Sequence, residues 1–426
     1  MPGIWILTPS PLKGEVSIPS ARNALHRAII AASLCEGKSI ITPFIAYDEL
    51  RATLNVMKAL GATYTIKHQS LTIKGINPQK NPTLKANIND SLTTLKLTLP
   101  LILSLNLPFT YIAKGIELDA SITALAPITQ KGSTLKITKA INDLSTLKVS
   151  TLKSARLISG FLLAAPFFNP LPQYDIPRDE RPLDIVLTLD TMKQFHIDLI
   201  ENDTEINLPK HAKYMPKNIE IEGDYGIGGF FLIAGLKSAS IRINNIKHSS
   251  HQSDFRVVEL IKSAKGKIIY DEFGYFTTHS PLEGFKASMK QHSGLVPHAI
   301  LLASLSNGAS TLIKLKHYKH QNARDLEALL KTLSLFNIAY KFHSNTLIIY
   351  GTSPPFKNPK SLILHPSFRI ALFQVFMASF SNKIIKLYNT ETITFHYPGF
   401  LTLMQNINGN INTGKPLNKD QRKDII

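Results

Sequence analysis

The chain has 426 residues, enough for two or three domains or one fold of repeated units. Hydrophobic residues make up 44% and charged residues 18%, which excludes wholesale disorder and leaves material for a large core. Lys plus Arg outnumber Asp plus Glu by 48 to 30, a formal net charge of +18, which points to an anionic partner. A single cysteine, Cys35, excludes an intrachain disulfide and a cysteine-based zinc site.

The opening, MPGIWILTPSPLKGE, lacks a basic stretch followed by an apolar one, and the longest apolar runs, such as residues 101–109, are too short to span a bilayer. A soluble, reducing, cytoplasmic setting is the expectation. Strand-like and helix-like patterns then alternate along the chain. β-branched runs at 38–44, 63–68, 239–246, 266–272 and 345–351 predict strands. Leu and Ala at helical spacing predict helices over 27–34, 49–60, 254–264 and 324–336. Gly37, Gly61, Gly235, Gly308 and Asn337 stand where helices should end in left-handed caps. A helix-strand-helix-strand-strand unit begins near residues 23, 91, 154, 226, 296 and 367, which argues for six related α/β modules. The polar tail after Gly409 is expected to be loosely held.

Residues 19–37, PSARNALHRAIIAASLCEG, are followed by a predicted strand, Asp48 and a helix ending in LGA. This order resembles the opening of the enolpyruvyl transferases, in particular the 5-enolpyruvylshikimate-3-phosphate synthases, which begin Pro-Gly-Ser-Lys-Ser, then Asn-Arg-Ala. Further stretches are similar in the same order: SARLISGFLLAAP (154–166), IEGDYGIGGFFLIAG (221–235), VPHAILLASLSNGAST (296–311), SFRIALFQVFMA (367–378) and YPGFLTLMQNING (397–409). The resemblance spans about residues 15–409. It implies a two-domain inside-out α/β barrel, each domain three βαβαββ units with helices inside and sheets outside. One half would be residues 20–222; the other, 1–19 plus 223–426, with a ligand cleft between them.

The resemblance also implies a reaction: transfer of the enolpyruvyl group of phosphoenolpyruvate to shikimate 3-phosphate, with release of phosphate. That chemistry needs cations for two anions, donors for phosphate oxygens, and an acid/base pair. Carried over position by position, the family lysine falls on Arg22, the next serine on Asn23, and the family arginine five residues on is Arg27. A stretch that closes on phosphoenolpyruvate falls on NDSLTTLK (89–96), where Leu92 replaces a glycine and Lys96 an arginine. A Ser-Ser-Gln triplet becomes Ser154-Ala155-Arg156, and an Asp-His-Arg triplet keeps only Arg369. The catalytic aspartate becomes His298, a glutamate becomes Asn322, the segment through Asp325 reads QNARD, and a C-terminal lysine falls at Phe395 or His396. Asp48 and Asp224 are kept.

The expected substrate-binding set is therefore Arg22, Asn23, Arg27, Lys96, Ser154, Arg156, Asn322 and Arg369, with Arg22 and His298 as catalytic candidates. Leu92 should crowd the phosphoenolpyruvate methylene. His298 can titrate near neutrality but can equally be a helix-end histidine with no proton to move; Asn322 cannot shuttle a proton. Two readings stay open: a divergent enolpyruvyl transferase, and a homologue that binds anions or a partner without turnover. No cofactor or metal is implied. HSSHQSD (248–254) gathers His248, His251 and Asp254, but its spacing fits no standard metal pair. The basic stretch KLKHYKHQNAR (314–324) lacks a nucleic-acid-binding module around it, so nucleic acid is not expected, and neither is a membrane. A monomer is the expectation.

Overall fold

A computed structural model describes residues 3–76, 83–125, 127–137, 144–209, 211–290, 292–316, 318, 323–357 and 359–414. The chain divides into two compact units, Pro19–Glu222 and Met1–Ile18 with Gly223–Ile426.

One topology recurs in five four-stranded sheets among the described residues. Each holds three antiparallel strands and one parallel edge strand. In the Pro19–Glu222 unit, Lys38–Thr42 pairs with Ser70–Lys74, which pairs with Thr63–Lys67, and Asn218–Glu220 lies parallel at the edge. Phe109–Ala113 is flanked in the same way by Thr134–Ile137 and by parallel Lys85–Asn89. The third module of this unit is reduced: its helices Ala155–Ala164 and Leu183–Gln194 are followed by a two-stranded hairpin, Ile200–Glu201 with Ile206–Asn207. In the other unit, sheets form around Ser240–Ile243, Gly308–Ile313 and Ile4–Thr8. The predicted strands and helices are present with ends moved by a few residues, as terminal hydrogen bonds rather than composition set them.

Two expectations are corrected. Gly235 is the last residue of helix Tyr225–Gly235 but does not take the left-handed conformation of a cap; a Cβ there would lie 2.2 Å from Thr277 Oγ1, so the glycine serves close packing. Gly61, by contrast, has φ 108° and does release the chain into a strand. The tail after Gly409 is not loose at its start: Asn410–Thr413 pairs antiparallel with Ile4–Thr8, Leu7 opposite Ile411. Residues 415–426 lie outside the described residues.

In each unit the helices lie inside and the sheets outside. Every residue of Tyr225–Gly235 and of Val296–Leu305 is buried, which explains why both are apolar all round rather than striped. They pack on one another and on Phe368–Ser379. In the Pro19–Glu222 unit, Leu92–Ser104 packs on Ala155–Ala164, and Gly160 permits it: a Cβ there would lie 2.5 Å from the Lys96 carbonyl oxygen. Cys35 sits just past the end of helix Arg22–Ser33, not within it; it is buried, and its thiol donates to the Ala31 carbonyl. Among the described residues no helix is long and apolar enough to cross a membrane.

Candidate functional site

In the Pro19–Glu222 unit the expected residues cluster at helix starts. Arg22 opens helix Arg22–Ser33, half-buried, with its guanidinium 3.7 Å from Glu49. Glu49 stands in the first turn of Asp48–Ala59, where an acid suits the helix dipole. Its other oxygen lies 3.6 Å from His26 Nε2, while His26 Nδ1 meets Thr53 Oγ1 at 2.7 Å. Burial pushes the Glu49 carboxyl upward, but His26 and Arg22 outweigh it and hold the group well below the usual carboxylate range. From Thr53 the polar chain continues to Thr94 at 2.8 Å and on to Ser91, which caps helix Leu92–Ser104.

Arg27 is placed differently from a surface clamp. It is 1% exposed. Nε donates to Thr188 Oγ1 at 2.7 Å, Nη1 to the Asn23 carbonyl at 2.8 Å, and Nη2 to Ser159 Oγ at 3.2 Å and the Asp184 carbonyl at 3.0 Å. These bonds tie three helices, Arg22–Ser33, Ala155–Ala164 and Leu183–Gln194, to one guanidinium. Burial lowers its pKa to about 10, against the attraction of Asp184 and with the repulsion of Arg156. Arg156 is therefore near enough to feel Arg27, and it is exposed, two positions beyond Ser154. Ser154 caps its helix, accepting from Leu157 N at 3.4 Å. Lys96 is tied to Asp119 at 2.6 Å. Leu92 is the first residue of its helix and half-buried.

In the other unit Arg369 lies in the first turn of Phe368–Ser379. It makes a two-point pair with Asp254, Nη1 to Oδ1 at 2.9 Å and Nη2 to Oδ2 at 2.6 Å, and Nη1 also donates to the Gly294 carbonyl at 2.8 Å. Burial opposes the charge, but Asp254 outweighs it, so the Arg369 pKa is raised. Asp224 caps helix Tyr225–Gly235, accepting from Gly226 N at 2.8 Å.

Of the two readings open for His298, its surroundings fit the helix-end histidine with no proton to move. It has no exposed surface, lies flat on Phe230, and its Nε2 is 3.1 Å from the Gly226 carbonyl oxygen. Burial, then Arg369, lowers its pKa to about 4, so the ring is neutral at pH 7. Gly229 makes room for it, since a Cβ there would lie 2.9 Å from His298 Cδ2. Asn322 lies outside the described residues. Asp325, three residues on, accepts from Ser367 Oγ at 3.2 Å. Phe395 is 61% exposed, and His396 packs against Phe368.

The HSSHQSD segment does not gather into a metal site: among the described residues no three His, Cys, Asp or Glu groups are close enough to share an ion. Asp254 faces Arg369, and His248 meets the Tyr275 hydroxyl. The pairing of Asp254 with Arg369 was not visible in sequence, because the two are 115 residues apart. The available signal was a carboxylate in a polar loop just ahead of an apolar helix.

Two inside-out α/β units with helix starts that carry arginine and lysine define an enolpyruvyl-transferase-like barrel. A sequence model of EPSP synthase (3-phosphoshikimate 1-carboxyvinyltransferase) matches residues 6–404, and the chain belongs to that family. Among curated relatives, the 3-phosphoshikimate 1-carboxyvinyltransferase of Clostridium perfringens (strain SM101) is 26% identical over 417 residues, 95% of this chain and 98% of the relative. The enzyme of that name from Clostridium botulinum (strain Alaska E43) is 29% identical over 427 residues, 96% and 98% of the two chains. The solved EPSP synthase of Acinetobacter baumannii superposes with a TM-score of 0.78 at 18% identity, covering 97% of this chain and all of that one. The enolpyruvyl transferase NikO of Streptomyces tendae superposes at 0.73 with 14% identity, over 98% and 99% of the two chains. These structural likenesses bear on the fold.

Proposed function

We propose that this chain transfers the enolpyruvyl group of phosphoenolpyruvate to shikimate 3-phosphate and releases phosphate, a step of the shikimate pathway toward aromatic amino acids. The observation that carries the reading is the family match across residues 6–404. The cations at the helix starts give it chemical sense. Both substrates are multiply anionic, and guanidinium groups at helix N-termini complement phosphate and carboxylate.

In this reading Arg22, Asn23, Lys96, Ser154 and Arg156 serve one unit's share of the anions, and Asn322 and Arg369 the other's. Arg27 acts one step removed: with its donors satisfied by protein oxygens, it fixes the Asn23 backbone and the two neighbouring helices. Arg22 is the catalytic candidate that keeps exposed surface, its charge steadied by Glu49. The substrate hydroxyl adds to C2 of phosphoenolpyruvate while C3 gains a proton; loss of phosphate and of a C3 proton then restores the double bond. His298, neutral and enclosed, contributes by holding the Gly226 carbonyl at the start of its helix. The protein acts in the cytoplasm, as a monomer.

The test is phosphate release with both substrates and with each alone, beside calorimetric titration of shikimate 3-phosphate with and without phosphoenolpyruvate. Release that requires both substrates supports the reading. Binding of both with no release makes the chain an anion-binding homologue.

A further inference from the structure

Resting on the proposed reaction, one relationship goes further than the reading of individual cations. A guanidinium has five N–H groups arranged in forks. At Arg369 the end fork is filled by Asp254, and the remaining hydrogen on Nη1 goes to the Gly294 carbonyl. Nε–H and the second Nη2 hydrogen form the side fork, and among the described residues no oxygen accepts from either. The side chain of Arg369 is 32% exposed while that of Asp254 is 7% exposed, so the pair presents arginine outward and buries the acid.

The socket is walled by missing side chains. A Cβ on Gly226 would lie 2.8 Å from Arg369 Nη2 and 2.9 Å from Asp254 Oδ2. A Cβ on Gly294 would lie 2.7 Å from Arg369 Nη1. Three elements therefore close on the guanidinium: the start of helix Tyr225–Gly235, the Ser293–Leu295 turn, and the Ser253–Arg256 turn that carries Asp254. Arginine side chains lose much rotamer freedom when a ligand orders them; here that ordering is done before the ligand arrives.

We infer that Asp254 is a positioning residue for substrate recognition: it locks Arg369 so that the Nε–Nη2 edge, unfilled among the described residues, takes a substrate carboxylate in one orientation. Asp254, with Asp224 nearby, offsets the formal charge of Arg369. Recognition at this point then depends on matching two oxygens to two N–H groups rather than on charge alone, and a compact ammonium at the same place could not reproduce it.

The test compares wild type with Asp254→Asn, Asp254→Glu and Arg369→Lys. The Arg369 Nε–H resonance is read by ¹⁵N–¹H NMR during phosphoenolpyruvate and shikimate 3-phosphate titrations, and KM, kcat and Tm are measured alongside. In wild type the resonance should be distinct and should shift with one of the two substrates. Asp254→Asn should collapse it toward the averaged arginine position and raise KM for that substrate by about tenfold, with kcat and the other KM little changed. Asp254→Glu should recover part of the signal and of the KM. Arg369→Lys, with the acid still paired, should show the same KM loss, which covers the case in which Asp254→Asn does not fold. Equal losses in kcat and both KM values that merely track Tm, or an unmoved Nε–H signal in Asp254→Asn, would overturn the inference. Absence of phosphate release by wild type would sink the proposed reaction instead; the NMR titration still decides the role of Asp254.

Discussion

His298 and Phe230 lie ring on ring, centroids 3.9 Å apart at 27°, with the His298 Nε2 turned to the Gly226 carbonyl. A proton on Nε2 donating to that carbonyl fits the neutral ring, and charging it would put a cation beside Arg369 in a buried site. The folded-state pKa is lowered to about 4 from an ordinary 6.5. Below 6.5 the unfolded chain therefore binds a proton that the folded chain refuses, and stability falls as pH drops from 6.5 to about 4; above 6.5 this group contributes no pH dependence. The full loss is on the order of 3 kcal/mol. Urea unfolding of wild type and His298→Gln at pH 5 and pH 7 checks it. The variant, lower in stability at pH 7, should show a smaller drop between the two pH values. Equal drops would show that His298 does not carry the acid sensitivity.

Arg27 makes the same kind of argument for the other unit. Its four bonds join three helices. Arg27→Met would leave Asn23, Ser159, Asp184 and Thr188 oxygens without their buried donor, and should cost about 3 kcal/mol in denaturant unfolding. Arg27→Lys keeps charge but supplies one nitrogen where three were used, so it should recover only part of that. A loss below about 0.5 kcal/mol for Arg27→Met would mean the network is not holding the helices.

Much of the fold was legible because each module repeats its own pattern: β-branched runs at 38–42 and 346–351 became the sheet strands, and the apolar run at 225–235 became a helix buried on all sides. The site was harder to read. Arg27 and Arg369 look alike in sequence, each at the head of an apolar helix, yet one is sealed inside and the other is a third exposed. What separates them is their partners: Thr188 lies 161 residues from Arg27, and Asp254 lies 115 residues from Arg369. Local pattern carries no information about such pairs. For the same reason sequence left both readings of His298 open, since its burial depends on Phe230 and on the absent side chain of Gly229.

Surface charge near the start of Ala155–Ala164 should matter to binding rather than to folding. Arg156 is exposed and two positions past its helix cap. Arg156→Gln should change Tm by less than about 2 °C and raise KM for one substrate several-fold, an effect that shrinks at 0.5 M salt as screening removes what the charge contributed. KM measured at low and high salt for both proteins decides it. A KM shift that persists unchanged at high salt would point to lost shape rather than lost charge.

Leu92 separates binding from bond formation. It begins helix Leu92–Ser104, half-buried, directly after the cap Ser91, at the position where the family resemblance has glycine. A branched side chain there should crowd the phosphoenolpyruvate methylene in a way that a bare Cα does not. Leu92→Gly should therefore raise kcat/KM for phosphoenolpyruvate while costing about 1 kcal/mol of stability, the usual effect of glycine in a helix. The companion variant is His298→Ala. A buried, neutral ring that only holds Gly226 should lower turnover through disorder at its helix start, with the pH–rate profile keeping its shape. A general acid or base would instead remove one limb of that profile along with about 10²–10⁴ in rate. Phosphate release by both variants from pH 5 to 9 distinguishes the cases. If Leu92→Gly leaves kcat/KM for phosphoenolpyruvate unchanged, the methylene does not approach this helix start, and the alignment of residues 89–96 with the family segment is wrong. If His298→Ala abolishes one limb, the enclosed ring must open to solvent or substrate during the reaction, and its burial describes a resting state.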